Sequence, residues 1–321
     1  MTKRTGEREA GSKGDGATRR RGDNASRAKP SLRPVSPSPS LPVNHPPRVS
    51  PSLITLLTDF GSADYFVGAM KGVILSLNPQ VRIVDITHEI PPQDIAGAAF
   101  TLMAAYRSFP PRTVHVAVVD PGVGSSRRPL LVIAGEHFFV GPDNGIFSYV
   151  IDREPKARVV HLTNQNYFRH PVSETFHGRD IFAAVAGALS QGVEPQRLGA
   201  ETPECVRLSA LAPIRLRQGK LHARIIHIDR FGNCITNLTP KDLTPEMIAA
   251  GARLTIKGKT IKTFRRFFSD EGDDDAELFG LWGSAGFLEI AATNRSAAKL
   301  LLTRNGDAVL VSMQRMKKMR T

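Results

Sequence analysis

Cysteine is almost absent. Cys205 and Cys234 are the only two in 321 residues, too few for a disulfide framework or a four-cysteine zinc site. A reduced, cytoplasmic setting is the expectation. Aromatic residues make up 7%, with one tryptophan, which argues against single-strand nucleic-acid binding by base stacking. No apolar run approaches the ~20 residues of a membrane-spanning helix. The basic N-terminus is not followed by the apolar segment of a secretory signal. The nine histidines show no HExxH or comparable spacing, so no metal is expected. A Gly-x-Ser-x-Gly elbow, a Walker A ending and a complete dinucleotide fingerprint are all missing. No repeat at a solenoid period occurs.

What is present begins with charge. The formal net charge is +13, but it is uneven. Residues 1–50 hold 11 Lys/Arg and 4 Asp/Glu, against 32 and 26 in the rest. Residues 30–51 carry 8 prolines among 22 positions. This composition predicts a disordered basic and Pro-rich tail over 1–52. A solvated tail is the plain reading; an arm for nucleic acid or acidic lipid is the sharper one. Deleting residues 1–50 is expected to leave folding and activity unchanged.

From Leu53 onward apolar β-type runs (53–58, 81–86, 114–119) alternate with helix-compatible stretches (65–77, 93–107, 180–189). Segments 130–134 and 137–140 read as a hairpin around Gly135-Glu136. This predicts a layered α/β domain over 53–205. Beyond it, 221–229, 253–256, 260–263, 278–282, 287–291 and 308–313 read as short strands, with helical stretches at 242–250 and 296–301. They predict a small antiparallel β-barrel domain over 206–321.

In α/β domains chemistry sits at strand ends. Asp59 follows the first strand, Asp85 lies within the second, and Asp120 follows the third. Asp120 opens a Gly-rich loop ending in Arg127-Arg128; a phosphate loop and a tight turn both explain it. Thr175-Phe176-His177-Gly178-Arg179-Asp180 precedes a helix. It is either a reactive cluster or an N-cap by Asp180 with polar neighbours. Asp229-Arg230-Phe231-Gly232-Asn233 suits a hairpin turn. His88 is expected to make structural hydrogen bonds, and Trp282 to sit in the core. Six of residues 270–277 are acidic, which reads as a solvated loop.

Taken together, seven stretches resemble one family in order along 53–313. They are Leu-Thr-Asp-Phe-Gly (57–61), Val-Asp-Ile-Thr-His (84–88), Val-Asp-Pro-Gly-Val-Gly (119–124), Pro-Asp-Asn-Gly (142–145), Thr-Phe-His-Gly-Arg-Asp-Ile-Phe (175–182), Asp-Arg-Phe-Gly-Asn (229–233) and Gly-Phe-Leu-Glu-Ile-Ala (286–291). The chain resembles the S-adenosyl-L-methionine (SAM) hydroxide adenosyltransferases, or SAM hydrolases, relatives of the SAM-dependent fluorinases and chlorinases. The resemblance implies an α/β domain plus a β-barrel. It implies a homotrimer with SAM, the substrate, held between one subunit's α/β domain and the next subunit's barrel, and no cofactor. The water-using Asp–Arg–His set falls on Asp120, Arg127 and His177. Asp59 matches the carboxylate that holds the ribose hydroxyls, and Asp64 one near the methionine end. Asp229 and Asn233 match barrel residues that hold SAM. Ser284 aligns with a serine near the methionine carboxylate, and Glu289 lies in the same motif. Halogenases follow that serine with arginine; here Ala285 stands instead. Phe264, Phe267 and Phe268 all remain candidates for the adenine-stacking aromatic.

The resemblance implies that water attacks C5′ of SAM, giving adenosine and L-methionine. A carboxylate beside the nucleophile favours water over a halide, because like charges ~4 Å apart repel by roughly 4 kcal/mol at an effective dielectric near 20. The alternatives are a SAM-dependent halogenase and a non-catalytic SAM- or adenosine-binding protein attached elsewhere by its basic tail.

Overall fold

A computed structural model of the chain describes residues 53–217, 220–270 and 276–313. The expected tail over 1–52 and positions 271–275 of the acidic stretch lie outside the described residues.

Seven strands make the first sheet: β1 Leu53–Thr58, β2 Arg82–Thr87, β3 Val114–Val118, β4 Pro129–Ala134, β5 His137–Pro142, β6 Arg158–Leu162 and β7 Gly199–Thr202. Their order is β2-β1-β3-β5-β4-β6-β7. The first four in that order run parallel, and the last three pair antiparallel. Four helices flank them: α1 Phe66–Leu77, α2 Ile95–Ala105, α3 Ser148–Arg153 and α4 Ala184–Ser190.

Strands β1 and β3 are apolar apart from Thr55, Thr58 and His115 because both faces are covered, whereas the edge strand β2 carries Arg82 and Asp85 and has no fully buried residue. Ile54 and Leu56 of β1 pack with Met70, Ile74, Val185 and Leu189 on one face. Leu57 packs with Leu102, Met103 and Val150 on the other. That second core also takes in Ile235 and Phe287, so the C-terminal sheet seats directly on the α2–α3 face.

The second sheet holds β8 Ile214–Arg215, β9 Leu221–Ile228, β10 Cys234–Thr236, β11 Arg253–Ile256, β12 Lys259–Ile261, β13 Leu278–Trp282, β14 Leu288–Ala292 and β15 Ala308–Ser312. All its pairings are antiparallel, in the order β12-β11-β15-β9-β10-β14-β13, with β8 on β9. A bridge between Phe264 and Gly280 brings the two ends together, so the barrel is nearly closed. Its own core is aliphatic, centred on Leu254, Ile290, Val309 and Val311.

Three local features depart from expectation. The stretch at 180–189 opens as a π-helical turn over Gly178–Ala183 before α4 begins. The stretch at 93–107 is α-helical only to Ala105, then tightens to a 3₁₀ turn at Tyr106–Ser108 before Pro110-Pro111. Helix α3 and strands β6, β7, β8 and β10 had no clear sequence signal. Each is short, and β7 (Gly-Ala-Glu-Thr) has almost nothing apolar to mark it.

Candidate active site

Strand β3 ends at Val118, two residues before Asp120. The chain then turns: the Val123 N–H donates to the Asp120 carbonyl (3.2 Å) and the Ser125 N–H to the Gly122 carbonyl (3.1 Å). Gly124 sits at φ +79, and a Cβ there would lie 2.4 Å from the Glu174 carbonyl oxygen. Only glycine lets this turn press against the segment that leads to His177.

The turn brings Arg127 back over Asp120. Arg127 Nε donates to Asp120 Oδ1 at 2.9 Å, and Nη2 donates to Oδ2. This two-pronged pair is the strong geometry for arginine and carboxylate. The side chains are 9% and 5% exposed, so solvent screens the pair little. Nη2 also donates to His177 Nδ1 at 2.7 Å, and the guanidinium lies 5.3 Å from the Phe182 ring centroid. Arginine has donors only. Nδ1 therefore accepts, and neutral His177 carries its proton on Nε2. Burial, then the Arg127 charge, push the imidazole below its ordinary pKa; Asp120 and Asp180 only partly oppose them.

Asp180 does not cap a helix through its side chain, which corrects the simple N-cap reading. It is fully buried. Its carboxylate accepts from Arg179 Nε (2.7 Å) and Nη2 (2.8 Å), from Arg169 Nη1 (3.1 Å) and from the Ser173 N–H (2.9 Å). Burial alone would raise its pKa, but these bonds outweigh it and hold the carboxyl below the usual range. The result is a rigid frame on both sides of His177.

Asp59 lies just beyond β1, and its Oδ2 accepts from the Gln93 N–H at 2.8 Å. Beside it Thr58 Oγ1 hydrogen bonds His88 Nδ1 at 2.8 Å while accepting from the Phe60 N–H at 3.2 Å. His88 Nε2 sits 3.1 Å from Asp85 Oδ1, and Asp85 Oδ2 accepts from Lys71 at 2.6 Å. His88 thus makes a buried hydrogen bond of the kind expected of it through Nδ1. Asp64 is exposed in the turn before α1. Phe60 and Phe66 pack edge-on against Phe176 at 6.1 and 5.2 Å. This aromatic cluster ties the Asp59 turn to the residue preceding His177.

The barrel residues form a second group. Asp229 Oδ1 accepts from the N–H groups of Phe231 (2.9 Å) and Asn233 (2.8 Å), and Oδ2 from Asn233 Nδ2 (2.9 Å). This is the expected hairpin turn, with Gly232 at φ +85. Glu289 pairs with Ile235 in the adjoining ladder; burial and the Asp229 charge raise its carboxyl pKa. Ser284 is exposed in the β13–β14 turn, which the Gly283 N–H closes onto the Phe287 carbonyl at 2.9 Å.

A cavity of about 690 Å³ opens beside Asn233, walled by Phe231, Arg265, Phe268, Phe279 and Ser296 among others. Its lining is made of barrel residues; the Asp120 group, Asp59 and Asp64 are not part of it. Among the three phenylalanines left open by sequence, Phe268 lines the cavity. Phe264 packs over Gly280 instead, and Phe267 is exposed under Arg266. Phe231 and Phe279 were not singled out from sequence. A phenylalanine inside a polar hairpin turn, 78% exposed, was the available signal for Phe231. Among the described residues no group of three or more His, Cys, Asp or Glu is placed to hold a metal ion, and no helix is long and apolar enough to cross a membrane.

With this geometry in view, comparison with known proteins is informative. The family model of the SAM hydroxide adenosyltransferase N-terminal domain matches residues 54–199, and that of the C-terminal domain matches 223–310. The chain belongs to the SAM hydroxide adenosyltransferase family. It is 37% identical over 265 residues to a Methanocaldococcus jannaschii protein named (R)-S-adenosyl-L-methionine hydrolase, covering 78% of this chain and 91% of that one. A Thermus thermophilus protein of the same name is 36% identical, with 80% and 98% covered. A Nocardia brasiliensis fluorinase is 27% identical, with 77% and 91% covered. The crystal structure of an uncharacterized conserved protein from Thermotoga maritima superposes with a TM-score of 0.74 at 34% identity, covering 80% of this chain and 99% of that one. Both SAM hydroxide adenosyltransferase matches fall within the two sheets described above.

Proposed function

We propose that the protein hydrolyses (R)-S-adenosyl-L-methionine to adenosine and L-methionine. The observation that carries this is the Asp120–Arg127–His177 hydrogen-bonded set in a chain 35–37% identical to proteins named (R)-S-adenosyl-L-methionine hydrolase.

The reaction is a displacement at C5′. A water oxygen forms the new C5′–O bond, the C5′–S bond breaks, and sulfur keeps its electron pair as a neutral thioether. One proton is released. The sulfonium leaves without being protonated, so the chemistry asks for no cofactor. What the protein supplies is a water held in line, with reacting atoms about 3–3.5 Å apart, and an acceptor for its proton. Among the three residues only Asp120 offers one. Arg127 has no acceptor, and His177 Nδ1 already takes an Arg127 N–H, leaving Nε2–H as a donor. Each Asp120 oxygen keeps a second lone pair beside the Arg127 bond. Asp120 is the proton acceptor in this proposal, Arg127 fixes it, and His177 orients the water through Nε2–H. The same carboxylate disfavours a halide nucleophile.

Asp59 would hold the ribose hydroxyls, and Asp64 would sit near the methionine end. Asp229, Asn233, Ser284 and Glu289 would hold SAM from the barrel side, with Phe268 and Phe231 as the aromatic walls for adenine. Of these, Asn233, Phe231 and Phe268 line the barrel cavity, and no member of the Asp120 group does. A homotrimer, in which the barrel of one copy faces the α/β half of the next, would complete the site. A cytoplasmic setting goes with the reading, since both cysteines are free.

The test is incubation with SAM in ¹⁸O-labelled water containing chloride, read by mass spectrometry. Adenosine labelled at its 5′ oxygen supports the proposal. 5′-Chloro-5′-deoxyadenosine would replace it with halogenation. Intact SAM after long incubation at high enzyme would make this a binding protein.

A further inference from the structure

The Pro-Asp-Asn-Gly stretch at 142–145 is a family motif that the proposed chemistry leaves without a role. Its position in the sheet supplies one. Strands β3 and β4 are not neighbours; β5 lies between them. The loop carrying Asp120 and Arg127 must therefore cross over the end of β5. Residues 143 and 144 emerge from β5 at that crossing.

Both legs of the loop are bonded to them. Asn144 Nδ2 donates to the Val119 carbonyl at 2.8 Å, one residue before Asp120. On the other leg, the Asp143 N–H donates to the Arg128 carbonyl at 2.9 Å, one residue after Arg127. Asp143 Oδ2 also accepts from Arg128 Nε (2.9 Å) and Nη2 (2.6 Å). Asp143 Oδ1 accepts from the Val206 N–H at 2.7 Å, so the same carboxylate holds the connection that leads to the barrel. The Asp143 side chain is 4% exposed.

We propose that Asp143 and Asn144 are positioning residues that set the separation of the two loop legs and so place Asp120 against Arg127. This rests on the reading of Asp120 and Arg127 as catalytic residues. The physical reason is leverage. The Asp120–Arg127 pair joins two points of a Gly-rich turn whose other internal bonds all pass through Ser125 or the Val123 N–H. Without a clamp the turn samples other separations, and the water's acceptor moves with it. A displacement of about 1 Å at a reacting group costs about 100-fold in rate. Neither residue bonds the Asp120 carboxylate; both act on it through the two loop legs.

A merely local role for Asn144 is separable. Its Oδ1 accepts from the Ile146 N–H at 3.2 Å, an Asx-type turn that aspartate makes equally well. Asn144→Asp keeps that bond and replaces the donor to Val119 with a carboxylate oxygen that repels the carbonyl. Asn144→Ser keeps a turn-forming oxygen and cannot reach the strand end, and it decides the matter if the aspartate variant fails to fold. Full-length variants are assayed for kcat and KM with SAM, for adenosine affinity by calorimetry, and for thermal midpoint. The expected result is a kcat lowered about 10- to 100-fold, with KM and adenosine affinity within twofold and the midpoint nearly unchanged. A kcat per folded molecule within twofold of the parent overturns the proposal and leaves Asn144 a turn residue. So does a loss of activity that only tracks lost stability. Asp120→Asn is measured alongside. If that variant still turns SAM over at the parent rate, the catalytic reading itself has failed, which is a different outcome from an active Asn144 variant beside an inactive Asp120 variant.

Discussion

Asp120 and Asp229 are both carboxylates that follow a strand, and both have their oxygens occupied, yet their partners differ in kind. Asp229 is satisfied within four residues, by the backbone of its own turn and by Asn233. Asp120 is bound by a guanidinium that itself bonds a histidine 50 residues further on. The first arrangement is local and forms with the hairpin. The second exists only when β3, the 120–128 turn and the 173–180 segment are packed together. The barrel half also offers a cavity walled by phenylalanines, whereas the α/β half offers buried charge. One half is suited to holding a flat, apolar base, and the other to fixing a proton acceptor.

That contrast predicts which parameter each half controls. The largest effect is expected from Asp120→Asn, which should lower kcat by about 10²- to 10⁴-fold, the span of general-base contributions. SAM binding measured by calorimetry should persist. Near-parental turnover would remove Asp120 from the mechanism. On the barrel side, Phe268→Ala should raise KM about 10- to 100-fold, matching ~1–3 kcal/mol for lost stacking on a base, while kcat stays close to parental. A fall in kcat at constant KM would mean that the two halves do not divide the work in this way.

A smaller, pH-dependent effect belongs to the α/β core. His115 is fully buried, bonded to Thr55 (2.7 Å) and His137 (3.3 Å). Burial, with the His137 charge, pushes its pKa down to about 3. The folded state then stays unprotonated where the unfolded chain, near 6.5, takes up a proton. Stability is therefore full above about pH 6.5 and falls as pH drops from there toward 3. His115→Gln should flatten that decline in a series of thermal midpoints. An unchanged slope would assign the acid sensitivity to the other depressed histidines, His137, His161, His177 and His227. The smallest effect is expected from removing residues 1–50, which hold +7 of the charge. Activity and midpoint should not change, and a large drop in midpoint would show that this segment does more than carry charge.

Much of the fold was legible because burial on both faces leaves a mark. Leu53–Thr58 and Val114–Val118 are apolar runs broken only by Thr55, Thr58 and His115, and the barrel strands Arg253–Ile256 and Leu278–Trp282 begin and end where their turn residues put them. Helix α3, of six residues, and β7, nearly without apolar side chains, are held by neighbours rather than by local preference. The candidate site was legible as residue types. The dense groups at 120–128, 175–182 and 229–233 stood out, and the family resemblance assigned roles to them. Whether Asp180 capped a helix, or which of three phenylalanines faced a cavity, was not legible. Both depend on which way a side chain turns once distant segments pack around it.

The two-sheet architecture, most of its elements, the family and the choice of candidate site residues follow from the linear order of apolar runs, glycines and charged groups, because those act over a few residues. The Arg127 fork on Asp120, the Nδ1-accepting state of His177, the clamp of Asp143 and Asn144 on the loop above β5, and Phe268 beside Phe231 were decided only by the tertiary structure. Each joins segments that the chain keeps apart, and hydrogen bonds and ring contacts act only at the short range that packing creates.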